Sequence, residues 1–149
     1  MNVKEAYFES VVMIERLHRL FLEVVKGELD DMNIHDINNV QCLILYNISK
    51  GKVTVGELTN RGYYLGSNVS YNLRKMVQNG YLVQEPSPHD RRSSHVTLSE
   101  KGANLYDKLD DMLKSHIDIL KDKGIIDDVN DLGRTLKKLE VFWNELKSR

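Results

Sequence analysis

The sequence predicts a mainly α fold of the α+β class: long helices at both ends and, between them, a helix-turn-helix followed by a hairpin wing. Three observations carry that expectation. The stretch Gly80–Gly102, GYLVQEPSPHDRRSSHVTLSEKG, reads as strand, charged tip, strand. Two short helical segments with a glycine-containing turn between them precede it, the pattern of a helix-turn-helix. Apolar residues recur at helical spacing through both ends of the chain.

Residues 3–32 are expected to form one helix, because Tyr7, Val11, Ile14, Leu17, Phe21, Val24 and Val25 follow helical spacing. At 1.5 Å per residue it would be about 40 Å long. That is long for a small domain and points to a partner along its apolar face. A second helix is expected over 36–50. Its middle, Val40 to Tyr46, is apolar nearly all round, as in a buried helix, and Gly51 is expected to end it. Thr54-Val55-Gly56-Glu57 has a capping-box pattern that opens a short helix to about Asn60. Gly62 then allows a tight turn. The next helix covers 67–78, with Asn79-Gly80 as its stop.

In the hairpin, Tyr81–Glu85 and His95–Leu98 are β-prone, and both prolines of the chain, Pro86 and Pro88, lie between them. Proline lacks a donor N–H and fixes φ, so it suits a strand end or a tip. The chain's only Arg-Arg pair, Arg91-Arg92, lies there too. Ser99 is expected to cap a helix over 100–122, with Leu105, Leu109, Met112, His116 and Leu120 on one face and Lys123-Gly124 closing it. A last helix covers 128–146. Its Val129, Leu132, Leu136, Leu139, Trp143 and Leu146 are spaced 3, 4, 3, 4, 3, a heptad seam that packs helix against helix.

A length of 149 residues suggests one domain able to bury a core. The 41% hydrophobic and 29% charged content fit a soluble globular protein. No apolar run approaches the roughly 20 residues that span a bilayer, and the N-terminus lacks an apolar signal core. No membrane partner is therefore expected. A lone cysteine, Cys42, fits a reducing cytoplasm. The net charge is −1, but residues 61–102 carry +3 between acidic flanks of −3 and −1. Local field matters more than total charge for meeting a polyanion.

At 100° per residue, the 67–78 helix turns Val69, Leu73, Met76 and Val77 to one side. Ser67, Asn68, Tyr71, Arg74, Lys75 and Gln78 fall on the other. Ser and Asn at a helix start can reach base edges, Asn suits adenine, and Arg or Lys suits guanine or phosphate. Such a face alone is also what a solvated helix shows. The helix-turn-helix before it and the arginine hairpin after it favour DNA. With the helix in a major groove, the tip would lie over the adjacent minor groove, where an arginine meets strong negative potential. Asp90 would then hold an arginine or loop N–H groups in place.

The run Asp90-Arg91-Arg92-Ser93-Ser94-His95-Val96-Thr97-Leu98-Ser99-Glu100-Lys101-Gly102 resembles the wing signature of the MarR family of bacterial winged helix-turn-helix regulators. That signature is D-R-R, three variable residues, V-x-L-T/S and then a glycine. Leu73 to Val83 resembles the end of the same family's recognition helix. The terminal helices match only in pattern. The resemblance implies a ligand-responsive transcription regulator, most often a repressor, that acts as a homodimer on a pseudo-palindromic operator in double-stranded DNA. It implies a single domain over 1–149, with a DNA-binding lobe over 36–102 and a helical dimerisation region over 1–32 and 103–149. It places Arg92 in the minor groove with Asp90 and Arg91 bracing the wing. The DNA-binding set is thus Ser67, Asn68, Ser70, Tyr71, Arg74, Lys75, Asp90, Arg91 and Arg92.

Two departures from the family pattern stand out. Arg61-Gly62-Tyr63-Tyr64-Leu65-Gly66 replaces commoner small and polar residues, and its tyrosines could pack the turn or touch phosphates. Tyr71 stands where many members have arginine. The run from Gly62 to Leu73 resembles an alphaproteobacterial subgroup associated with cell-envelope control.

Many relatives release DNA on binding a small aromatic or phenolic acid. His18, Tyr46 and His116 are the side chains expected near such an effector, and each also fits a core residue or cap. Cys42 lies in the apolar second helix, where a thiol's pKa rises, which disfavours a peroxide-sensor role. No metal or cofactor is expected: the five histidines show no i, i+4 pair and no cysteine companion. His89 and His95 flank the tip as phosphate neighbours. No Gly-rich phosphate loop, G-x-S-x-G or H-E-x-x-H supports an enzyme. A winged helix used only for protein contacts would have no need of Arg91-Arg92 beside a basic helix.

Overall fold

A computed structural model describes residues 2–49, 51–60, 66–85, 87–90 and 93–149, with the backbone alone at 66 and 67. The elements run α1 (Val3–Asp31), α2 (Asn39–Ile48), β1 (Val53–Thr54), α3 (Val55–Asn60), α4 (Gly66–Gln78), β2 (Leu82–Glu85), β3 (His95–Leu98), α5 (Glu100–Asp122) and α6 (Ile126–Lys147). They form two compact units, residues 1–107 and 108–149. Expected and observed bounds agree for the first helix, the 67–78 helix, the hairpin and the 100–122 helix to within one residue.

The second helix is shorter than the expected 36–50. It starts after Asn38, whose side chain accepts from the Gln41 N–H at 2.8 Å while the Gln41 side chain takes the Asn38 N–H at 3.1 Å. This reciprocal box satisfies two of the donors that a helix start leaves open. The helix ends at Ser49, which takes a left-handed φ of 61°, two residues before Gly51. Thr54 caps α3 as expected: its hydroxyl accepts from the Glu57 N–H at 3.0 Å.

The hairpin is joined by a third strand that the sequence did not reveal. Sheet order is β1-β3-β2, antiparallel, with Val53 opposite Val96 and Leu82 opposite Leu98. Val53, Leu82 and Val96 are all buried. They cover a core of Val25 and Leu29 from α1, Cys42, Ile44, Leu45 and Ile48 from α2, Leu58 from α3, and Val69, Leu73 and Met76 from α4. The apolar middle of α2 thus is a buried helix.

The junction between hairpin and α5 is close-packed. Ser99 caps α5 by accepting from the Gly102 N–H at 3.1 Å, and its own hydroxyl donates to the Gly80 carbonyl at 2.5 Å. A Cβ on Gly102 would lie 2.1 Å from the Tyr81 carbonyl oxygen. That close approach is the physical reason for a glycine at the end of the wing motif.

The terminal helices show their apolar residues to solvent. On α1, Tyr7, Val11, Ile14, Leu17, Leu20 and Val24 are exposed, and only Val25 and Leu29 are buried. On α6 no residue is buried, and Val129, Leu132, Leu136 and Leu146 of the heptad seam are exposed. No helix among the described residues is long and apolar enough to cross a membrane.

Candidate nucleic-acid interface

The candidate interface is built on α4, and its orientation follows from the core. Val69, Leu73 and Met76 are all but fully buried, which fixes the rotation of the helix. Asn68, Tyr71, Arg74, Lys75 and Gln78 are exposed on the opposite side, and Ser70 is half-buried at the margin. Ser67 lies in the first turn, and its side chain lies outside the described residues. The Lys75 ammonium stands 5.9 Å from the centroid of the Tyr71 ring, one turn away, a cation–π contact that restrains both side chains. The structure thus brings together the α4 residues that the sequence singles out.

The wing tip is held by serines. The buried Ser94 hydroxyl accepts from the Ser87 N–H at 3.2 Å, and the Ser87 hydroxyl accepts from the N–H groups of His89 and Asp90 at 3.4 Å each. The Asp90 carbonyl accepts from the Ser93 N–H at 3.1 Å. Asp90 and His89 are exposed and His95 is half-buried. Ser87 and Ser94, which sequence reasoning did not name, thus add hydrogen bonds that hold the tip around Asp90. Arg91 and Arg92 lie outside the described residues, as do Arg61 to Leu65 with both tyrosines of that turn.

A second missed constellation lies behind the interface. The Asp36 carboxylate accepts from the Tyr81 hydroxyl and from the Lys101 ammonium, each at 2.5 Å. Lys101 also donates to the Asn79 carbonyl at 2.8 Å and stands 4.3 Å from the Tyr81 ring centroid. The Asn79 side chain donates to the Asp36 carbonyl at 2.9 Å. The cluster ties the α1–α2 connection to the end of α4, the start of β2 and the first turn of α5. Burial works to raise the Asp36 pKa, but the hydrogen bonds from Lys101 and Tyr81 outweigh it and hold the carboxyl below its ordinary value. Burial, and then the hydrogen bond to Asp36, push the Tyr81 phenol up. Lys101 belongs to the net-positive third of the sequence, yet its ammonium, although partly exposed, is bonded to the Asp36 carboxylate and the Asn79 carbonyl.

Of the three effector candidates, Tyr46 is half-buried and stacks on Tyr106, with ring centroids 4.7 Å apart and planes within 9°. His18 is exposed on α1, and His116 is half-buried on α5 in the second unit. Tyr106 is the partner that sequence reasoning missed. Cys42 is fully buried, and burial pushes its thiol up to about 12. Among the described residues there is no group of three or more metal-ligating side chains.

Comparisons with known proteins match this geometry. The MarR family model matches residues 35–93, which span the helix-turn-helix and most of the wing. The exopolysaccharide II synthesis transcriptional activator ExpG of Rhizobium meliloti is 34% identical over 139 residues, covering 92% of this chain and 71% of the relative. FabT of Streptococcus pneumoniae, solved in complex with DNA, superposes with a TM-score of 0.72 at 20% identity, covering 94% of this chain and 99% of that one. MarR of Staphylococcus aureus, solved with salicylate and kanamycin, superposes with a TM-score of 0.63 at 25% identity, covering 91% and 93%.

Proposed function

The chain belongs to the MarR family of transcriptional regulators, and from that premise we propose that it binds a pseudo-palindromic operator in the cytoplasm as a homodimer. The observation that carries the reading is α4. Its buried face is fully committed to the core, and its outward face offers Asn68, Tyr71, Arg74 and Lys75 beside the wing. In the proposed complex α4 enters the major groove, the N–H groups of its first turn meet a phosphate, and the wing lies over the minor groove with Arg92 inserted. The bare apolar rows of α1 and α6 support dimerisation, since each calls for a helical partner. A dimer also matches a two-fold operator, half-site for half-site.

We assign the regulatory input to a phenolic or aromatic acid. The Staphylococcus relative was solved with salicylate, and the Tyr46–Tyr106 stack offers an aromatic surface of the right chemistry. Repression is the expected sign for the family, while ExpG is named as an activator of exopolysaccharide synthesis. Control of a cell-envelope polysaccharide is accordingly the proposed physiological context.

The test is a mobility shift at two salt concentrations on an operator selected from a random duplex pool. Affinity should fall by roughly 10³–10⁵ between 50 and 200 mM salt for 6–10 phosphate contacts. Arg92→Ala should weaken binding without loss of fold. If Arg92→Ala bound like the parent, the minor-groove role would be wrong. An absence of any selected sequence would remove the operator-binding reading itself.

A further inference from the structure

Tyr71 occupies a special place on α4. At about 100° per residue, the buried Val69, Leu73 and Met76 centre on one direction and Tyr71 points almost opposite to it. Asn68 and Lys75 lie about 40–60° to one side of it, and Arg74 about 60° to the other. A helix seated in a groove by this face therefore aims Tyr71 at the floor and its cationic neighbours at the walls. Tyr71 is 54% exposed, the one large aromatic on an otherwise polar face. Its ring is steadied by the Lys75 ammonium one turn on.

The floor of a major groove presents hydrogen-bond donors and acceptors and a single kind of apolar group, the thymine C5-methyl. An aromatic ring aimed there gains by covering that methyl. We propose that Tyr71 is a specificity-determining residue that selects a thymine in each operator half-site by packing its ring on the C5-methyl. The inference rests on the DNA-binding reading above and adds to it the base that α4 chooses. Asn68, one turn nearer the helix start, then faces an adjoining base step, where its amide suits adenine.

The experiment uses the full-length protein and duplexes in which deoxyuridine replaces deoxythymidine, which deletes the methyl and leaves the base pair unchanged. Operators are first selected with the parent protein. One thymine per half-site should be strongly preferred. Its replacement by uracil in both half-sites should weaken binding by roughly tenfold, about the value of burying two methyl groups. Tyr71→Ala should bind the thymine and uracil duplexes equally and keep its salt dependence. Tyr71→Phe, which keeps the apolar ring, should keep the thymine preference. Tyr71 is exposed and outside the core, so circular dichroism of both variants should match the parent. Selective binding by the parent with no loss on uracil replacement overturns the proposal while leaving operator binding intact. Loss of the preference in Tyr71→Phe also overturns it, since the hydroxyl would then be the reader.

Discussion

Gly102→Ala should destabilise the fold even though alanine is the better helix former. The added Cβ would sit 2.1 Å from the Tyr81 carbonyl oxygen. Both are backbone-anchored, so no side chain can swing aside. To reach an ordinary contact, the first turn of α5 must move by about 1 Å, the scale at which overpacked sites typically cost about 1–3 kcal/mol. That movement also strains the Ser99 N–H bond to the same carbonyl, 3.0 Å, and the cap on the Gly102 N–H. Helix propensity returns up to about 1 kcal/mol. With the full propensity gain the net loss should be up to about 2 kcal/mol, or up to roughly 4–8 °C in melting temperature for a chain of this size. Gly27→Ala, near the C-terminal end of α1, is the control, because a Cβ there meets nothing within 4 Å. It should raise stability by about 0.5–1 kcal/mol. Melting scans at one protein concentration compare the two. A Gly102→Ala melting temperature equal to or above that of Gly27→Ala would refute the close-approach argument.

Leu136→Asp places a charge in the α6 seam and should dissociate or unfold the dimer in sedimentation; an unchanged dimer would sink the seam argument. Cys42 should resist thiol reagents at pH 8, because a thiol raised to about 12 in a closed core is almost wholly protonated. Its labelling should track unfolding in denaturant, and fast labelling of the native protein would contradict this. The Asp36 carboxyl is lowered in the folded state, so its contribution to stability is present above the ordinary carboxylate pKa and lost as pH falls through the folded value. With Asp36 and Lys101 side chains both 47% exposed, that contribution should stay below about 1 kcal/mol. Asp36→Asn should flatten the acid limb of a stability–pH curve, and an identical limb in the variant would count against the cluster.

The parts legible in the sequence were those written by local chemistry. Val69, Leu73 and Met76 lie on one face because the helical period puts them there, so the outward set on α4 followed without further information. Ser99 and Gly124 punctuate α5, with Gly124 at φ 73°, and its ends came out within a residue. The parts not legible depend on residues far apart in the chain. β1 is two residues long and exists only because Val53 meets Val96. Tyr46 gives no hint that Tyr106 will cover it. The end of α2 differs from the expectation for another reason: glycine is the usual residue at positive φ, yet Ser49 takes a φ of 61° and closes the helix two residues before Gly51.

The same distinction governs how charge should be counted. Arg74, Lys75 and Lys101 contribute alike to the positive middle third. In the fold, Arg74 and Lys75 stand on the outward face of α4, while Lys101 is bonded to Asp36 and to the Asn79 carbonyl. A lysine already bonded to a carboxylate releases few counterions on meeting a phosphate, so it adds little to salt-dependent affinity. It instead neutralises Asp36 and caps the C-terminal end of α4, where a cation opposes the helix dipole. Net charge over a segment therefore overstates the electrostatic footprint on DNA. What sets the footprint is which cations the core leaves pointing outward, and on α4 the burial of three apolar residues makes that choice.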